Sequence, residues 1–171
     1  MRSSFFIFSL PRSGSSWLAT FLSGPDSFCY HEPTADLSPQ QWSDQASLRP
    51  ESAVGAVDTG AYRIASDVIK AAPKGCEFYV LVRDPAAIQR SGRKFGITAF
   101  NAHAEQEKLL ALPYPRINHS DLADVDSLRF LWTQIIGSHC DETRAKQMAE
   151  MRIERDVDLF FANRQHLRKI A

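Results

Sequence analysis

The segment LPRSGSSW, residues 10–17, places a guanidinium, three hydroxyls and a glycine between two apolar stretches. Residues 4–9 are almost continuously apolar, which is typical of a strand buried on both faces, and from Ser15 onward the apolar residues recur at helical spacing. Small polar residues between a strand and a helix can surround an oxyanion with backbone N–H and hydroxyl donors. The pattern therefore predicts an anion-binding loop formed by Arg12, Ser13, Gly14, Ser15 and Ser16.

A second polar segment, RDPAAIQRS at residues 83–91, directly follows EFYVLV at 77–82, which is the clearest strand signal in the chain. Asp84 suits a helix N-cap, and Pro85 suits the first helical position. Ligands of parallel sheets bind beyond the carboxyl ends of the strands. Both polar segments are therefore expected at one edge of a sheet.

The phosphate loop of ordinary nucleoside-triphosphate enzymes has the spacing GxxxxGK[ST]. The first segment lacks that spacing, and neither GKS nor GKT occurs anywhere in the chain. The sequence therefore gives little support to a kinase or an ATPase.

In these two segments the sequence resembles the sulfotransferases, which use 3′-phosphoadenosine 5′-phosphosulfate (PAPS). The residues that match the first signature of that family are Pro11, Arg12, Ser13, Gly14, Ser15, Ser16 and Trp17. Those that match the second are Arg83, Asp84, Pro85 and Ser91. The arginine form of the first motif looks most like the carbohydrate-sulfating and bacterial branches.

The resemblance implies a three-layer α/β/α fold with a mostly parallel central sheet and a topology like that of P-loop proteins. It also implies transfer of a sulfuryl group from PAPS to a hydroxyl or amine of a small-molecule or carbohydrate acceptor, with no metal. The first motif, Arg12 to Ser16, would hold the 5′-phosphosulfate, and Trp17 would face the adenine. Arg83 and Ser91 would bind the 3′-phosphate, the arginine through a charge-assisted fork.

The catalytic base is a separate question, because Arg12 would stabilise the leaving phosphate but cannot readily give up a proton. In the carbohydrate-sulfating branch an acidic residue followed by proline comes after the second strand, as Glu32 and Pro33 do here. Other branches use histidine, which makes His31 the rival. Neighbours on a strand point to opposite faces, so we expect only one of the two to reach the donor, and Glu32 is favoured.

Composition excludes several partners. The 171 residues contain 20 Lys and Arg against 20 Asp and Glu, so no excess of positive charge favours nucleic acid or an anionic membrane. No apolar run approaches the roughly 20 residues that span a bilayer, and the apolar start is short for a secretory signal. We therefore expect a cytoplasmic protein.

Cysteines and histidines give no metal or disulfide signal. Cys29, Cys76 and Cys140 are odd in number, widely spaced and without a CxxC pair, which favours reduced thiols in the core. The histidines other than His31 lack metal-ligand spacing with the cysteines, so we assign them no role; they are His103, His119, His139 and His166.

The remaining pattern predicts a single domain over residues 1–171, in which strands alternate with helices and form right-handed βαβ units. Predicted strands lie near 4–9, 27–32, 52–60 and 77–82. Predicted helices lie near 15–22, 39–48, 62–72, 85–94, 99–112 and 121–137. Residues 113–121 are predicted to be a proline-rich loop, 151–157 a last strand and 158–170 a final helix.

Two points stay open at the level of sequence. The chain ends at Ala171 without the basic, glycine-containing C-terminal segment of larger sulfotransferases. It is therefore either a minimal enzyme with residues 95–120 as a lid, or a nucleotide-binding half without efficient catalysis. The alternative functions are a non-catalytic adenosine-phosphate-binding protein and, with less support, a small-molecule kinase with an atypical phosphate loop. The oligomeric state is not predicted.

Overall fold

A computed structural model describes residues 3–151 of the chain. In this part the sheet has five strands in the order β2-β3-β1-β4-β5, and every pairing of neighbours is parallel. The strands are β1 (Ser3–Phe8), β2 (Ser27–His31), β3 (Ala53–Asp58), β4 (Glu77–Val82) and β5 (Arg116–Asn118). The mostly parallel sheet predicted from the sequence is confirmed.

Helices cover both faces of the sheet. They are α1 (Ser15–Phe21), α2 (Pro39–Leu48), α3 (Ala65–Ala71), α4 (Pro85–Lys94), α5 (Ala102–Leu110), α6 (Val125–Ile136) and α7 (Glu142–Glu150). Short 3₁₀ turns occupy Pro33–Ala35, Ala61–Ile64 and His119–Ala123. None of the helices within residues 3–151 is both long and apolar enough to cross a membrane.

The three layers follow from the alternation of side chains along β1. Phe5 and Ile7 point into a core shared with α1, α6 and α7, whereas Phe6 and Phe8 point into a second core shared with α2 to α5. All four side chains are fully buried. A strand that is apolar on both faces must be covered on both faces, so the continuous apolar run of β1 fixes its central place in the sheet.

Most element bounds agree with the sequence predictions to within a few residues. Ser38 caps α2 through the Gln41 N–H, and the Asp84 carboxylate caps α4 by accepting from the N–H groups of Ala86 and Ala87. The predicted helix at 62–72 begins instead as a 3₁₀ turn, and the long helix predicted from residue 121 begins at Val125.

Two elements differ from the predictions. The loop predicted at 113–121 contains β5, whose three residues pair with β4 at the edge of the sheet. Helix α7 was not predicted, because only Ala145 and Met148 are buried on it and most of its other residues are polar. The strand predicted at 151–157 and the helix predicted at 158–170 fall, after Met151, outside the described residues.

The cysteines are free thiols, as predicted. Cys29 and Cys140 are buried, and Cys76 is half-buried. Burial raises the pKa of the Cys76 thiol to about 12, and the pKa of Cys29 is raised still further for the same reason. Thiols held in the protonated form are poor nucleophiles, so we assign them to packing.

We expect Gly55→Ala to destabilise the fold. Gly55 pairs with Phe5 across β3 and β1, and a Cβ at Gly55 would lie 2.3 Å from a carbon of the buried Phe5 ring. Overpacking of this kind costs about 1–3 kcal/mol, and we expect the upper end because the ring is enclosed on all sides. Urea denaturation measures the change.

The control for this prediction is Gly60→Ala, in which the nearest atom to the new Cβ is a carboxylate oxygen of Asp58 at 3.8 Å. Gly60 has an ordinary backbone conformation, with φ −117°. An equal loss of stability in the two variants would show that the contact with Phe5 is not the cause.

Candidate active site at the carboxyl edge of the sheet

The loop between β1 and α1 has an unusual backbone. Arg12 has φ 66° and Gly14 has φ 86°. A non-glycine residue with this left-handed conformation costs about 1–3 kcal/mol and persists where surrounding contacts hold it. Arg12 and Glu32 are the two non-glycine residues with positive φ within residues 3–151, and both were predicted to be catalytic.

Contacts with α4 and its preceding turn hold the Arg12 conformation. Arg83 Nη1 donates to the Arg12 carbonyl oxygen at 2.7 Å, and Arg12 Nε donates to Ser91 Oγ at 3.0 Å. The Arg12 guanidinium carbon also lies 3.9 Å from the centroid of the Phe95 ring. The two segments singled out from the sequence, some 71 to 79 residues apart along the chain, therefore form one cluster.

Glycine is required at position 14 for two reasons. Its φ lies in the region that favours glycine, and a Cβ there would lie 3.2 Å from Cδ2 of His119. The backbone of the loop thus passes directly beneath the imidazole of His119, which follows β5. His119 was not predicted to be part of the site.

Ser13 lies inside the loop with its side chain fully buried. Its hydroxyl oxygen has no hydrogen-bond partner within the described part of the chain. A buried hydroxyl without a partner is costly, and a ligand that bonds to it would remove that cost.

His31 lies under the start of α1. Its Nε2 is 3.2 Å from Ser15 Oγ and 3.1 Å from Ser16 Oγ, both within hydrogen-bonding distance. The His31 side chain is 6% exposed. His31 therefore orients the two hydroxyls of the loop and presents little surface to solvent.

Glu32 follows β2, and its left-handed backbone (φ 52°) turns the side chain back toward His31. Glu32 Oε1 lies 3.8 Å from His31 Nε2, so the two side chains are on the same side of the turn, and that only one of them reaches the donor stays a prediction. Strand alternation does not apply, because β2 ends at His31. The Glu32 side chain is 25% exposed, against 6% for His31.

The end of β3 adds two residues that were not predicted, Asp58, which is the last residue of the strand, and Thr59, which follows it. Thr59 Oγ1 donates to Glu32 Oε1 at 2.8 Å. Asp58 is 2% exposed, and its carboxylate accepts hydrogen bonds from both Thr34 and the backbone of residues 60 and 61. The sequence signal for these two residues was the polar pair DT at the carboxyl end of a buried strand next to β1.

The cluster therefore combines two guanidinium groups, several hydroxyls and one partly exposed carboxylate at the carboxyl ends of β1, β2, β3 and β4. Guanidinium and hydroxyl donors together suit a doubly charged anion. No group of three or more His, Cys, Asp or Glu side chains arranged to hold a metal ion occurs between residues 3 and 151.

Three solved sulfotransferase structures have a fold similar to that of this chain. A mouse sulfotransferase, SULT7A1, complexed with PAP, superposes with a TM-score of 0.59 at 16% identity, over 86% of this chain and 63% of that chain. The sulfotransferase domain from the curacin biosynthetic pathway has a TM-score of 0.59 at 17% identity, over 89% of this chain and 79% of the other. The chain has a sulfotransferase-like fold.

A sulfotransferase from Alicyclobacillus acidocaldarius shares this sulfotransferase-like fold with a TM-score of 0.50 at 15% identity, over 95% of this chain and 92% of that one. The chain spans about 63% of the length of the mouse enzyme. No protein-family model matches the sequence, and no curated protein matches it.

Trp17 occupies a different place in this sulfotransferase-like fold from the one predicted. Its indole is 8% exposed, stacks on Phe21 and donates from Nε1 to the Met148 carbonyl oxygen at 3.1 Å. The indole therefore ties α1 to α7. Because so little of its face is available, we leave Trp17 out of the proposed binding site.

Residues 95–120, which were considered as a lid, mostly belong to the core and the sheet of the sulfotransferase-like fold. Ala102 and Leu109 of α5 are buried in the core that covers one face of the sheet, and β5 belongs to the sheet. Only residues 95–101 lie between α4 and α5.

Proposed function

We propose that this chain binds PAPS and transfers its sulfuryl group to a hydroxyl or amine of a small-molecule or carbohydrate acceptor. The observation that carries the proposal is the contact between the two motifs, in which Arg83 donates to the backbone of Arg12 and Arg12 donates to Ser91. The mouse sulfotransferase with a similar fold was solved with PAP, the desulfated form of this donor, which supports the choice of ligand.

The residues present fit such a donor. The buried Ser13 hydroxyl has no partner within the described residues, and Gly14 lets the loop backbone pass close to the His119 imidazole, where a Cβ would be too near the ring. Two arginines at one cluster suit a ligand that carries phosphate at both the 5′ and the 3′ positions.

The loop residues Ser13 to Ser16 and the Arg12 guanidinium would hold the 5′ end of the donor, and Arg83 with Ser91 would hold the 3′-phosphate. When bound, the donor supplies the sulfuryl group, whose sulfur–oxygen bond to phosphate breaks as the acceptor atom bonds to sulfur. Arg12 stabilises the negative charge that develops on the leaving phosphate. Stacking on Phe95 and the bond to Ser91 limit the movement of the Arg12 side chain.

Glu32 is the base in this proposal and removes the proton of the acceptor hydroxyl or amine. Its greater exposure supports this role, because an acceptor must reach the group that takes its proton. His31 keeps the Ser15 and Ser16 hydroxyls in place and is the alternative base.

Calorimetric titration with PAP and with ADP, each with and without magnesium, tests the donor. We expect tight binding of PAP that does not depend on the metal, and little binding of ADP, because ADP lacks the 3′-phosphate. A preference for ADP with magnesium would favour the kinase alternative, and binding of neither nucleotide would contradict a nucleotide site.

Turnover of PAPS with a panel of hydroxyl and amine acceptors then separates an enzyme from a non-catalytic binding protein. Release of PAP that depends on the acceptor supports sulfuryl transfer. Binding of PAP without turnover across the panel would favour the non-catalytic alternative.

A further inference from the structure

We propose that Thr59 is a positioning residue that holds Glu32 as the base, an inference that rests on the proposed function. Thr59 directly follows β3, and its hydroxyl donates to Glu32 Oε1 at 2.8 Å. The two residues are 27 positions apart in the chain, on the turns that follow neighbouring parallel strands. Thr59 acts through Glu32 and has no other part in the reaction.

The buried carboxylate of Asp58 fixes the backbone from which Thr59 projects. One carboxylate oxygen accepts from the N–H groups of Gly60 and Ala61 at 2.8 and 2.9 Å, which closes the turn around Thr59. The other oxygen accepts from the N–H of Thr34 at 2.9 Å and from its hydroxyl at 2.7 Å.

Thr34 lies on the same turn as Glu32, directly after Pro33. Asp58 therefore clamps the turn after β2 to the turn after β3, and the two turns hold the Thr59 hydroxyl against Glu32 from both sides. The backbone N–H of Glu32 adds a third link, donating to the carbonyl oxygen of Val57 on β3 at 2.9 Å.

A fixed carboxylate matters because proton removal depends on alignment. During transfer the acceptor O–H or N–H bond breaks and its proton passes to the Glu32 carboxylate, while the acceptor atom bonds to sulfur and PAP leaves. A glutamate side chain has three rotatable bonds, and misplacement by about 1 Å can cost about 100-fold in rate. The bond from Thr59 restrains one oxygen, Oε1, and so reduces the orientations that the other oxygen samples.

The test compares Thr59→Val, which has nearly the same shape without the hydroxyl, with Thr59→Ser, which keeps it. We expect kcat of T59V to fall about tenfold, the size of effect expected for one hydrogen bond to a charged group. KM for the acceptor and the affinity for PAP should change less than about twofold, because T59V keeps the Glu32 carboxylate and leaves the arginines and the loop assigned to PAP unchanged. T59S should restore most of kcat.

The control for the substitution itself is Thr133→Val on α6, where the hydroxyl donates to the Arg129 carbonyl oxygen and is exposed. T133V should keep the kcat of the wild-type chain. A T59V variant with unchanged kcat, or with PAP affinity lowered as much as kcat, would overturn the inference.

A second measurement does not need turnover. T59V should lower the midpoint of urea denaturation in the wild-type chain, and should lower it less in a chain that already carries Glu32→Ala, because the shared bond is then absent. Equal shifts in the two backgrounds would overturn the inference even if the wild-type chain transfers sulfuryl groups. Coupling in stability together with no sulfuryl transfer by the wild-type chain would instead overturn the proposed function, and the catalytic role of Thr59 with it.

Discussion

Arg83→Ala is expected to weaken binding of PAP by at least about 100-fold, the sum of two losses. The first is the charge-assisted pairing of the guanidinium with the 3′-phosphate. The second is the bond from Arg83 Nη1 to the Arg12 carbonyl oxygen, which holds Arg12 in its left-handed conformation. Without that bond the loop can relax to a backbone conformation in which its N–H and hydroxyl donors no longer point toward one site.

Calorimetry with PAP measures the effect, and two further variants define its cause. Arg90→Ala removes a guanidinium that is 70% exposed and pairs with Asp84, so PAP affinity should stay within about threefold of the wild-type value. Arg83→Lys keeps the charge but loses the fork, and an intermediate affinity is expected. Wild-type affinity in R83A, with an unchanged denaturation midpoint, would contradict the assignment of Arg83 to the 3′-phosphate.

The parallel sheet and the helices on both of its faces could largely be predicted from the sequence, because the strand signals are strong and local. β4 coincides with the predicted strand, and Asp84 and Pro85 begin α4 as their types indicate. β5 was missed because three residues directly after a proline carry almost no periodicity, and the pairing of β5 with β4 is a tertiary effect. Helix α7 was missed because its stability depends on two buried side chains and contacts with α1.

The site was predicted as two separate motifs, and the structure shows them in contact. Sequence spacing places Arg12 and Ser91 at the same edge of a sheet but says nothing about their hydrogen bond. His119 was not predicted as a site residue because it lies on the turn directly after β5, and β5 itself was not predicted. Asp58 ends β3 and Thr59 follows it at the same edge, but a short polar pair at the end of a strand is too common to select without knowing which strand is its neighbour.

The surroundings of Trp17 depend on a tertiary contact that its motif does not encode. The residue type matches the sulfotransferase signature, yet α7 covers the indole in this chain and accepts its N–H at Met148. Arg144 of the same helix donates to the Thr20 and Phe21 carbonyl oxygens at the end of α1. Helix α7 thus anchors α1, and Trp17 is part of that contact.

Glu32→Gln is expected to lower kcat for sulfuryl transfer by about 100-fold or more, the usual range for loss of a general base. Gln keeps the shape of the side chain and an oxygen that can accept from Thr59, but it cannot take a proton at neutral pH. The affinity for PAP should change less than about twofold, since the donor is assigned to the arginines and the loop. Stopped assays of PAP release and calorimetry on the same preparation measure both quantities.

His31→Ala tests the alternative base. The two candidate bases make different contacts, so their variants are expected to have different effects. His31 supports the Ser15 and Ser16 hydroxyls, so its loss should lower PAP affinity more than kcat. Glu107→Gln on the exposed face of α5 controls for removal of a carboxylate and should leave both quantities unchanged. If E32Q retains wild-type kcat while H31A binds PAP normally and does not turn over, then His31 is the base. In that case the left-handed turn at Glu32 serves to hold a carboxylate 3.8 Å from the imidazole, where it would stabilise the protonated ring.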